Sequence, residues 1–154
     1  MFNTLYISKN KYLKILAYLD IFSYLCTMKV TKELIKELYK KYNKMYFNNE
    51  LTMCDCHYIR LDVYGRYTNK QDDDGTVHGK IWITNDVDWT EDVLREVIVH
   101  EMIHHYVKSI KKKNEYIFFK HGFQFRKKMR QLNKDFNLGI TISSCPLKKK
   151  SKKD

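Results

Sequence analysis

The segment Val97-Ile-Val-His-Glu-Met-Ile-His-His-Tyr106 decides how the rest of this 154-residue chain is interpreted. It contains the pattern His-Glu-x-x-His, in which His100 and His104 are four residues apart. On an α-helix, two residues at this spacing lie on the same face, about 40° apart around the axis. Both imidazoles can therefore reach one metal ion, and neutral imidazoles suit Zn²⁺. Glu101 projects about 100° around the axis, where its carboxylate can accept a proton from a water molecule that the metal activates.

The residues around this pattern predict a helix with one apolar side. The sequence Asp88-Trp-Thr-Glu91 fits a capping box, with Asp88 as the N-cap and Glu91 three residues into the helix. Positions at intervals of about 100° place apolar side chains opposite His100 and His104. These side chains are Ile98, Val99, Met102, Ile103, Tyr106 and Ile110. The alternative is that both histidines are packed core residues and that the short pattern arises by chance.

A catalytic zinc site usually has three protein ligands, and His121 is the candidate for the third. Sixteen residues separate it from His104, which is enough to finish the first helix, turn and return. Apolar side chains follow His121 at helical spacing, so we expect it to begin the inward face of a second helix. They are Phe125, Met129, Leu132 and Phe136. The alternative is a solvent-exposed histidine at the start of that helix.

The combination of His100-Glu-Met-Ile-His104, His121-Gly-x-x-Phe125 and Asn133 resembles the SprT-like (Spartan-type) metalloprotease family. Two upstream segments are also similar to this family: residues 42–51 to a helix end, and residues 79–84 to the strand before the active-site helix. Many members carry a four-cysteine zinc ribbon or further DNA-binding modules after the protease domain, and these 154 residues contain neither.

The resemblance implies an α+β, zincin-like fold with a small antiparallel sheet and a His-Glu-x-x-His helix. It implies that His100, His104 and His121 bind one Zn²⁺ and that Glu101 is the catalytic base. Family members are associated with DNA, and those studied degrade proteins crosslinked to it. The predicted function is therefore zinc-dependent hydrolysis of DNA-bound or DNA-crosslinked proteins. The rival hypothesis is a non-catalytic DNA-binding protein with a structural zinc, which would need a fourth protein ligand.

The resemblance also sets the expected domain organisation. Residues 29–142 are expected to form the metalloprotease domain and residues 143–154 a basic C-terminal tail. Residues 1–28 are an N-terminal extension, interpreted either as an extra amphipathic helix or as sequence upstream of a true start at Met28. His105 stands where small residues are common in the family, and the sequence assigns it no role.

The N-terminal extension contains an apolar run from Ile15 to Cys26, preceded by lysines as in a secretory leader. Asp20 interrupts this run, and no small-residue cleavage site follows it. The run is also too short to span a bilayer as a helix. A membrane-attached protease is thus a third hypothesis, but we expect no stable membrane association.

The net positive charge of the chain, +11, is concentrated after the His-Glu-x-x-His pattern. Residues 105–154 hold 15 Lys and Arg against 3 Asp and Glu, whereas residues 1–104 hold 14 against 15. This asymmetry suggests a polyanionic partner, which we interpret as DNA bound without sequence specificity, single-stranded DNA included. The candidate DNA contacts are Lys111, Lys112, Lys113, Arg126, Lys127 and Arg130.

The four cysteines are Cys26, Cys54, Cys56 and Cys145, and their spacing shows neither a disulfide framework nor a Cys-x-x-Cys pair. A reducing compartment is the simpler interpretation, and we expect a cytoplasmic monomer. The alternation in Cys54-Asp-Cys-His57 fits a strand better than a second metal site, because no second ligand pair would complete a tetrahedron.

The elements before the metal pattern follow from periodicity. A helix is predicted from Thr31 to about Phe47, with apolar side chains on one face and lysines at every fourth position on the other. Period-two alternation predicts strands over residues 51–64 and 77–84, with an exposed turn at 70–75. The strand at 77–84 is expected to edge the cleft, where a peptide substrate could add to it through backbone hydrogen bonds.

Overall fold

The computed structural model describes residues 28–112 and 121–142, which form three helices and one three-stranded sheet. The elements in chain order are α1 (Lys32–Tyr46), β1 (Asp55–Ile59), β2 (Gly65–Gln71), β3 (Val77–Thr84), α2 (Glu91–Ser109) and α3 (Phe123–Phe136). The predicted α+β class is confirmed. No helix among the described residues is long and apolar enough to cross a membrane, and the apolar run from Ile15 to Cys26 lies outside them.

The first helix, α1, matches the prediction from Thr31 to about Phe47. The Thr31 hydroxyl accepts a hydrogen bond from the N–H of Leu34 at 3.1 Å, which caps the first turn. Apolar side chains at helical spacing bury one face, whereas the lysines at every fourth position are exposed. The buried side chains are Ile35, Leu38, Tyr39, Tyr42 and Tyr46.

The sheet is mixed, so the prediction of an antiparallel sheet is wrong. The strand order is β1-β3-β2, in which β3 pairs antiparallel with β2 and parallel with β1. The segment 60–64 carries the chain from one edge of the sheet to the other, and β3 then returns between the two earlier strands. The central position suits β3 because Ile81 and Ile83 are completely buried.

The first strand is shorter than the alternation over 51–64 predicts. Only Asp55–Ile59 joins the sheet. Beyond it, the N–H of Leu61 donates to the hydroxyl of Thr84 at 3.2 Å rather than to the backbone of a neighbouring strand. The period-two pattern therefore continues in sequence after the backbone pairing has ended.

The interpretation of residues 54–57 as strand rather than metal site agrees with the structure. Cys54 and Cys56 are buried free thiols at the start of β1. Neither belongs to a group of three or more metal-ligating side chains in the described part of the chain. Cys26 and Cys145 lie outside that part.

A hairpin joins β2 to β3 through the exposed turn that the sequence predicts at 70–75. The N–H of Gly75 donates to the carbonyl of Asp72 at 2.9 Å, and Gly75 has a φ of +87°. Glycine adopts this backbone region without steric cost. The outer edge of β2 has no strand neighbour among the described residues.

The helix α2 begins two residues later than the capping box predicts. Its N-cap is Thr90 rather than Asp88, and the Thr90 hydroxyl accepts from the N–H of Val93. Trp89 explains the shift, because its buried indole N–H donates to the carbonyl of Thr84 at 2.9 Å. This contact holds residue 89 in the loop, so the helix starts after it.

The core lies where α1 and α2 pack against the sheet and against each other, with α3 packed on α2. The predicted apolar face of α2 is buried except at Tyr106, which is half-buried, and at Ile110, which is exposed. Of the apolar residues predicted to face inward from the second helix, Phe125 and Leu132 are buried, whereas Phe136 is 45% exposed at the end of α3. Buried side chains contributed by α2 include Leu94, Ile98, Val99, Met102, Ile103 and Val107.

Candidate metal centre

Three histidines form one compact group. His100 and His104 lie one turn apart on α2, and His121 lies just before α3. The ring centroids of His100 and His104 are 5.2 Å apart, and each lies within 5.1 Å of the His121 ring. One nitrogen from each ring lies within 4.8 Å of the other two, so the three histidines are close enough to hold a metal ion.

The donor atoms of this group suit zinc. Nε2 of His100 and Nε2 of His121 are 3.0 Å apart. Two nitrogens of a tetrahedral zinc site, each at 2.0–2.1 Å from the metal, would be about 3.3–3.4 Å apart. Among the residues that the structure describes, no fourth His, Cys, Asp or Glu joins the group. Three is the number of protein ligands that catalytic zinc sites commonly have.

Thr141 determines which nitrogen of His100 faces the other two histidines. Nδ1 of His100 lies 2.9 Å from the carbonyl oxygen of Thr141. A carbonyl oxygen only accepts hydrogen bonds, so Nδ1 carries the proton and Nε2 keeps its lone pair. Burial, with the neighbouring rings of His104 and His121, lowers the pKa of His100 to about 3. The imidazole is therefore neutral near pH 7 and able to act as a ligand.

Phe125 forms an apolar floor under the group. Its ring centroid is 4.9 Å from that of His100 and 4.6 Å from those of His104 and His121. The side chain is completely buried. It restricts the positions available to the rings and keeps water from that side, which is how an apolar shell tunes a metal site.

Arg126 holds the backbone of His121 in place. Its Nε donates to the carbonyl of His121 at 2.8 Å, from the first turn of α3. The sequence had indicated Arg126 only as a candidate DNA contact, not as a partner of His121. The signal was available, because an arginine five residues after a candidate ligand at a helix start can reach back to its carbonyl.

Glu101 is buried beside the first residue of β2. Only 6% of the residue is exposed. A Cβ atom on Gly65 would lie 2.7 Å from Oε1 of Glu101 and 2.8 Å from Cγ1 of Val97, so a larger residue could not be placed there without a shift. Gly65 was not predicted as a site residue, although a glycine at a strand often marks such a close approach.

The strand that borders the site is β2, so the expectation that residues 77–84 edge the cleft is wrong. The ring of Tyr67 in β2 stacks on that of His104, with centroids 6.5 Å apart and planes 6° apart. The strand β3 instead lies in the centre of the sheet and is paired on both sides. Its backbone groups are already used and cannot receive a peptide.

His105, for which no role was predicted, points into the core. It is completely buried, and its Nδ1 lies 2.8 Å from the Tyr39 hydroxyl and 3.1 Å from Sγ of Cys54. The Tyr39 hydroxyl donates to the carbonyl of Thr52 at 2.8 Å, so its oxygen accepts the proton on Nδ1. Burial lowers the pKa of His105 to about 4 and keeps it neutral. This role depends on contacts with residues far away in the sequence, so no local pattern predicts it.

The candidate DNA contacts lie in two places. Lys111 follows α2, with its Nζ 5.4 Å from the centre of the Tyr106 ring, and Lys112 is the next residue. Lys127 and Arg130 are exposed on α3. Lys113 lies outside the described residues.

A comparison with protein-family models gives one match, to the SprT-like family over residues 35–146. The matched segment contains the whole of α2 and α3 and all three histidines of the group. No curated protein matches the chain.

Proposed function

The chain belongs to the SprT-like family, and on this premise we propose that it is a zinc-dependent metallopeptidase with a zincin-like active site. The observation that carries the proposal is the convergence of His100, His104 and His121 on one group of donor nitrogens. Glu101, buried on the same helix, supplies a carboxylate beside them. Zinc, when bound, supplies the Lewis acidity that makes water a nucleophile near neutral pH.

Glu101 is the proposed general base. Its carboxylate would accept the proton of the attacking water as the new C–O bond forms, and would pass it to the amine nitrogen as the peptide C–N bond breaks. The close approach of Gly65 limits the positions that the Glu101 side chain can adopt. Such restriction favours proton transfer because the base does not have to be ordered at the moment of reaction.

A peptide substrate is proposed to bind along the outer edge of β2. An extended peptide can add to a free sheet edge through backbone hydrogen bonds, with no requirement for one particular sequence. This edge has no strand partner among the described residues, and the ring of Tyr67, in the same strand, stacks on that of His104. A peptide paired with β2 would therefore pass beside the histidine group.

The test is cleavage measured together with zinc content. Protein containing one equivalent of zinc should degrade an unfolded substrate such as casein, and a chelator should abolish cleavage until zinc is restored. Protein that binds zinc and DNA but cleaves neither free nor DNA-bound proteins would support the rival hypothesis of a non-catalytic DNA-binding protein.

DNA is the proposed partner that brings protein substrates to this site. Three exposed cations on α3, Lys127, Arg130 and Lys134, follow one another at spacings of three and four residues and form what we call the basic stripe. Phe123, 73% exposed, heads the same row two residues after His121. Such a row suits single-stranded DNA, because the cations can pair with phosphates while a base stacks on the aromatic ring.

A triple variant of the basic stripe, with each cation replaced by Glu, tests this partner. Arg126 stays unchanged in it, because its loss would disturb His121. Binding of a labelled single-stranded oligonucleotide should weaken. The slope of log K against log salt should also become less steep by about two, since each of three lost phosphate contacts contributes about 0.7. Cleavage of a short free peptide should be unchanged.

The matched control replaces Lys32, Lys36 and Lys40, three exposed lysines of α1, by Glu. It changes the net charge by the same amount on a helix remote from His121 in sequence. If the control loses as much DNA binding as the basic-stripe variant, the attraction depends on overall charge and the basic stripe is not the binding surface.

A further inference from the structure

We propose that Asn133 is a positioning residue of the metal centre, orienting His100 through the backbone of Ile140 and Thr141. The inference rests on the proposed function only in taking His100, His104 and His121 as metal ligands. It does not depend on whether the protein cleaves peptide bonds.

Asn133 lies in the last turn of α3 and binds Ile140 twice. Its Nδ2 donates to the carbonyl of Ile140 at 2.8 Å, and its Oδ1 accepts from the N–H of Ile140 at 3.1 Å. Two hydrogen bonds from one planar amide fix both the distance and the orientation of the backbone they hold. Aspartate has no donor to replace Nδ2, and serine is too short to make both bonds.

The residue next to Ile140 contacts the metal centre. The carbonyl of Thr141 accepts from Nδ1 of His100 at 2.9 Å. Because the two residues share a peptide bond, fixing the Ile140 backbone restricts where the Thr141 carbonyl can point. That carbonyl keeps the proton on Nδ1, and Nε2 of His100 then faces Nε2 of His121 at 3.0 Å.

No regular secondary structure fixes the backbone at this point. Residues 137–142 belong to neither a helix nor a strand, and Asn137 begins the segment in the left-handed region with a φ of 51°. Leu138 and Ile140 are buried, but burial of apolar side chains is non-directional and does not orient a carbonyl group. Two directional contacts act on this segment. The Glu96 carboxylate accepts from the backbone of Gly139, and Asn133 binds Ile140, the residue next to Thr141. The contact that Asn133 makes is therefore the nearer of the two to the Thr141 carbonyl.

Asn43 makes the same pair of backbone hydrogen bonds as Asn133 and therefore serves as its control. It lies near the end of α1, where its Nδ2 donates to the carbonyl of Leu51 at 2.8 Å and its Oδ1 accepts from the N–H of Leu51 at 3.2 Å. The residue after Leu51 is Thr52, whose carbonyl accepts from the Tyr39 hydroxyl in the core rather than from a metal ligand. The two asparagines therefore make the same bonds, but only Asn133 is connected to the histidine group.

The experiment compares Asn133→Asp with Asn43→Asp in the full chain. Each change replaces an amide donor by a carboxylate that faces a carbonyl oxygen, so both variants should lose stability. Asn133→Asp should bind zinc about 10–100-fold more weakly than the wild type, as found when an outer-shell partner of a metal ligand is removed. Asn43→Asp should retain wild-type affinity. The measurement is competition with a chromophoric chelator, at a temperature at which circular dichroism shows both variants folded.

A second measurement needs neither zinc nor cleavage. Nitrogen NMR of ¹⁵N-labelled histidine in the metal-free protein should show His100 protonated on Nδ1 in the wild type and in Asn43→Asp. In Asn133→Asp it should show a mixture of the two tautomers, because the Thr141 carbonyl is no longer held. If Asn133→Asp does not fold, Asn133→Ser and Asn43→Ser replace the pair, since they remove the bonds without adding charge.

Two results would overturn the inference. One is wild-type zinc affinity together with an unchanged His100 tautomer in the folded Asn133 variant. The other is an equal loss of affinity in the Asn43 variant, because lost stability would then explain both. The two proposals can fail separately. If the protein never cleaves peptides, but Asn133→Asp weakens zinc binding and Asn43→Asp does not, the proposed function is refuted and this inference is supported.

Discussion

Two neighbouring residues of α2, His104 and His105, lie in regions of opposite character. His104 belongs to the metal face, which we define as His100, His104 and His121. His105 belongs to the buried polar cluster, which we define as Tyr39, Cys54 and His105. The ring of Tyr67 stacks on both histidines, at 6.5 Å from His104 and 5.5 Å from His105. A rotation of about 100° along one helix thus separates a candidate ligand from a core residue.

Histidine has a different role in the buried polar cluster and on the metal face. In the buried polar cluster, His105 and Tyr39 satisfy each other, so their burial costs little and the contact joins α1 to α2. On the metal face, imidazoles lie close together, and burial beside two other rings lowers the pKa of His100 to about 3. Crowding of this kind contributes little to folding without a metal. We therefore expect changes on the metal face to affect metal and chemistry, and changes in the cluster to affect stability.

The largest expected effect is that of His104→Ala. Removing one of three ligands should reduce the zinc content from one equivalent to near zero and abolish cleavage. The metal-free variant should lose less stability to urea than metal-free His105→Ala does, because His104 is only half-buried whereas His105 is completely buried. Elemental analysis and urea titration check both expectations. If the variant keeps its zinc, His104 is not a ligand and does not differ from His105 in the way proposed.

The next effect in size is that of Glu101→Gln. The amide cannot accept a proton from water, so cleavage should fall by about 10²–10⁴-fold, the usual contribution of a general base. Zinc content should remain at one equivalent, because Glu101 is not part of the group of donor nitrogens. Turnover at the wild-type rate in the zinc-loaded variant would show that another residue is the base.

The sequence revealed the metal face more fully than the buried polar cluster, for a physical reason. His100 and His104 are related by helical spacing, and His121 heads an amphipathic helix, so local periodicity was enough to group them. The partner of His105 is Tyr39, 66 residues away, and no local pattern connects them. The same limit explains the sheet. Alternation identified β3, but the strand order that makes β2 the edge beside Glu101 depends on the path of the whole chain.

Local sequence rules also gave wrong results where tertiary contacts compete with them. The capping box at Asp88 was plausible, but burial of Trp89 and its bond to Thr84 delay the start of α2 until after Thr90. One specific hydrogen bond therefore decides where α2 begins. A tertiary contact also adds a role at Arg126, whose Nε donates to the carbonyl of His121, while its contact with DNA stays a prediction.

His105→Ala should have the opposite effect to His104→Ala. It leaves a cavity and removes a buried partner of Tyr39, which should cost about 2–4 kcal/mol in the free energy of unfolding. Zinc content should remain at one equivalent. Urea unfolding of the metal-free protein is the appropriate measurement, because bound zinc would add its own stabilisation. If the folded variant loses zinc, the buried polar cluster and the metal face are coupled, and the distinction between them is wrong.

The smallest expected effect, that of Tyr39→Phe, sharpens the comparison by removing one hydroxyl from the buried polar cluster. The substitution removes only the hydroxyl, which contacts Nδ1 of His105 and donates to the carbonyl of Thr52. We expect a loss of about 1–2 kcal/mol in the free energy of unfolding, with zinc content and cleavage unchanged. Combining it with His105→Ala gives a double-mutant cycle in which the two losses should not add, since both remove the same hydrogen bond. Additive losses would mean that Tyr39 and His105 stabilise the core independently, and that the cluster owes its stability to packing rather than to the bond between them.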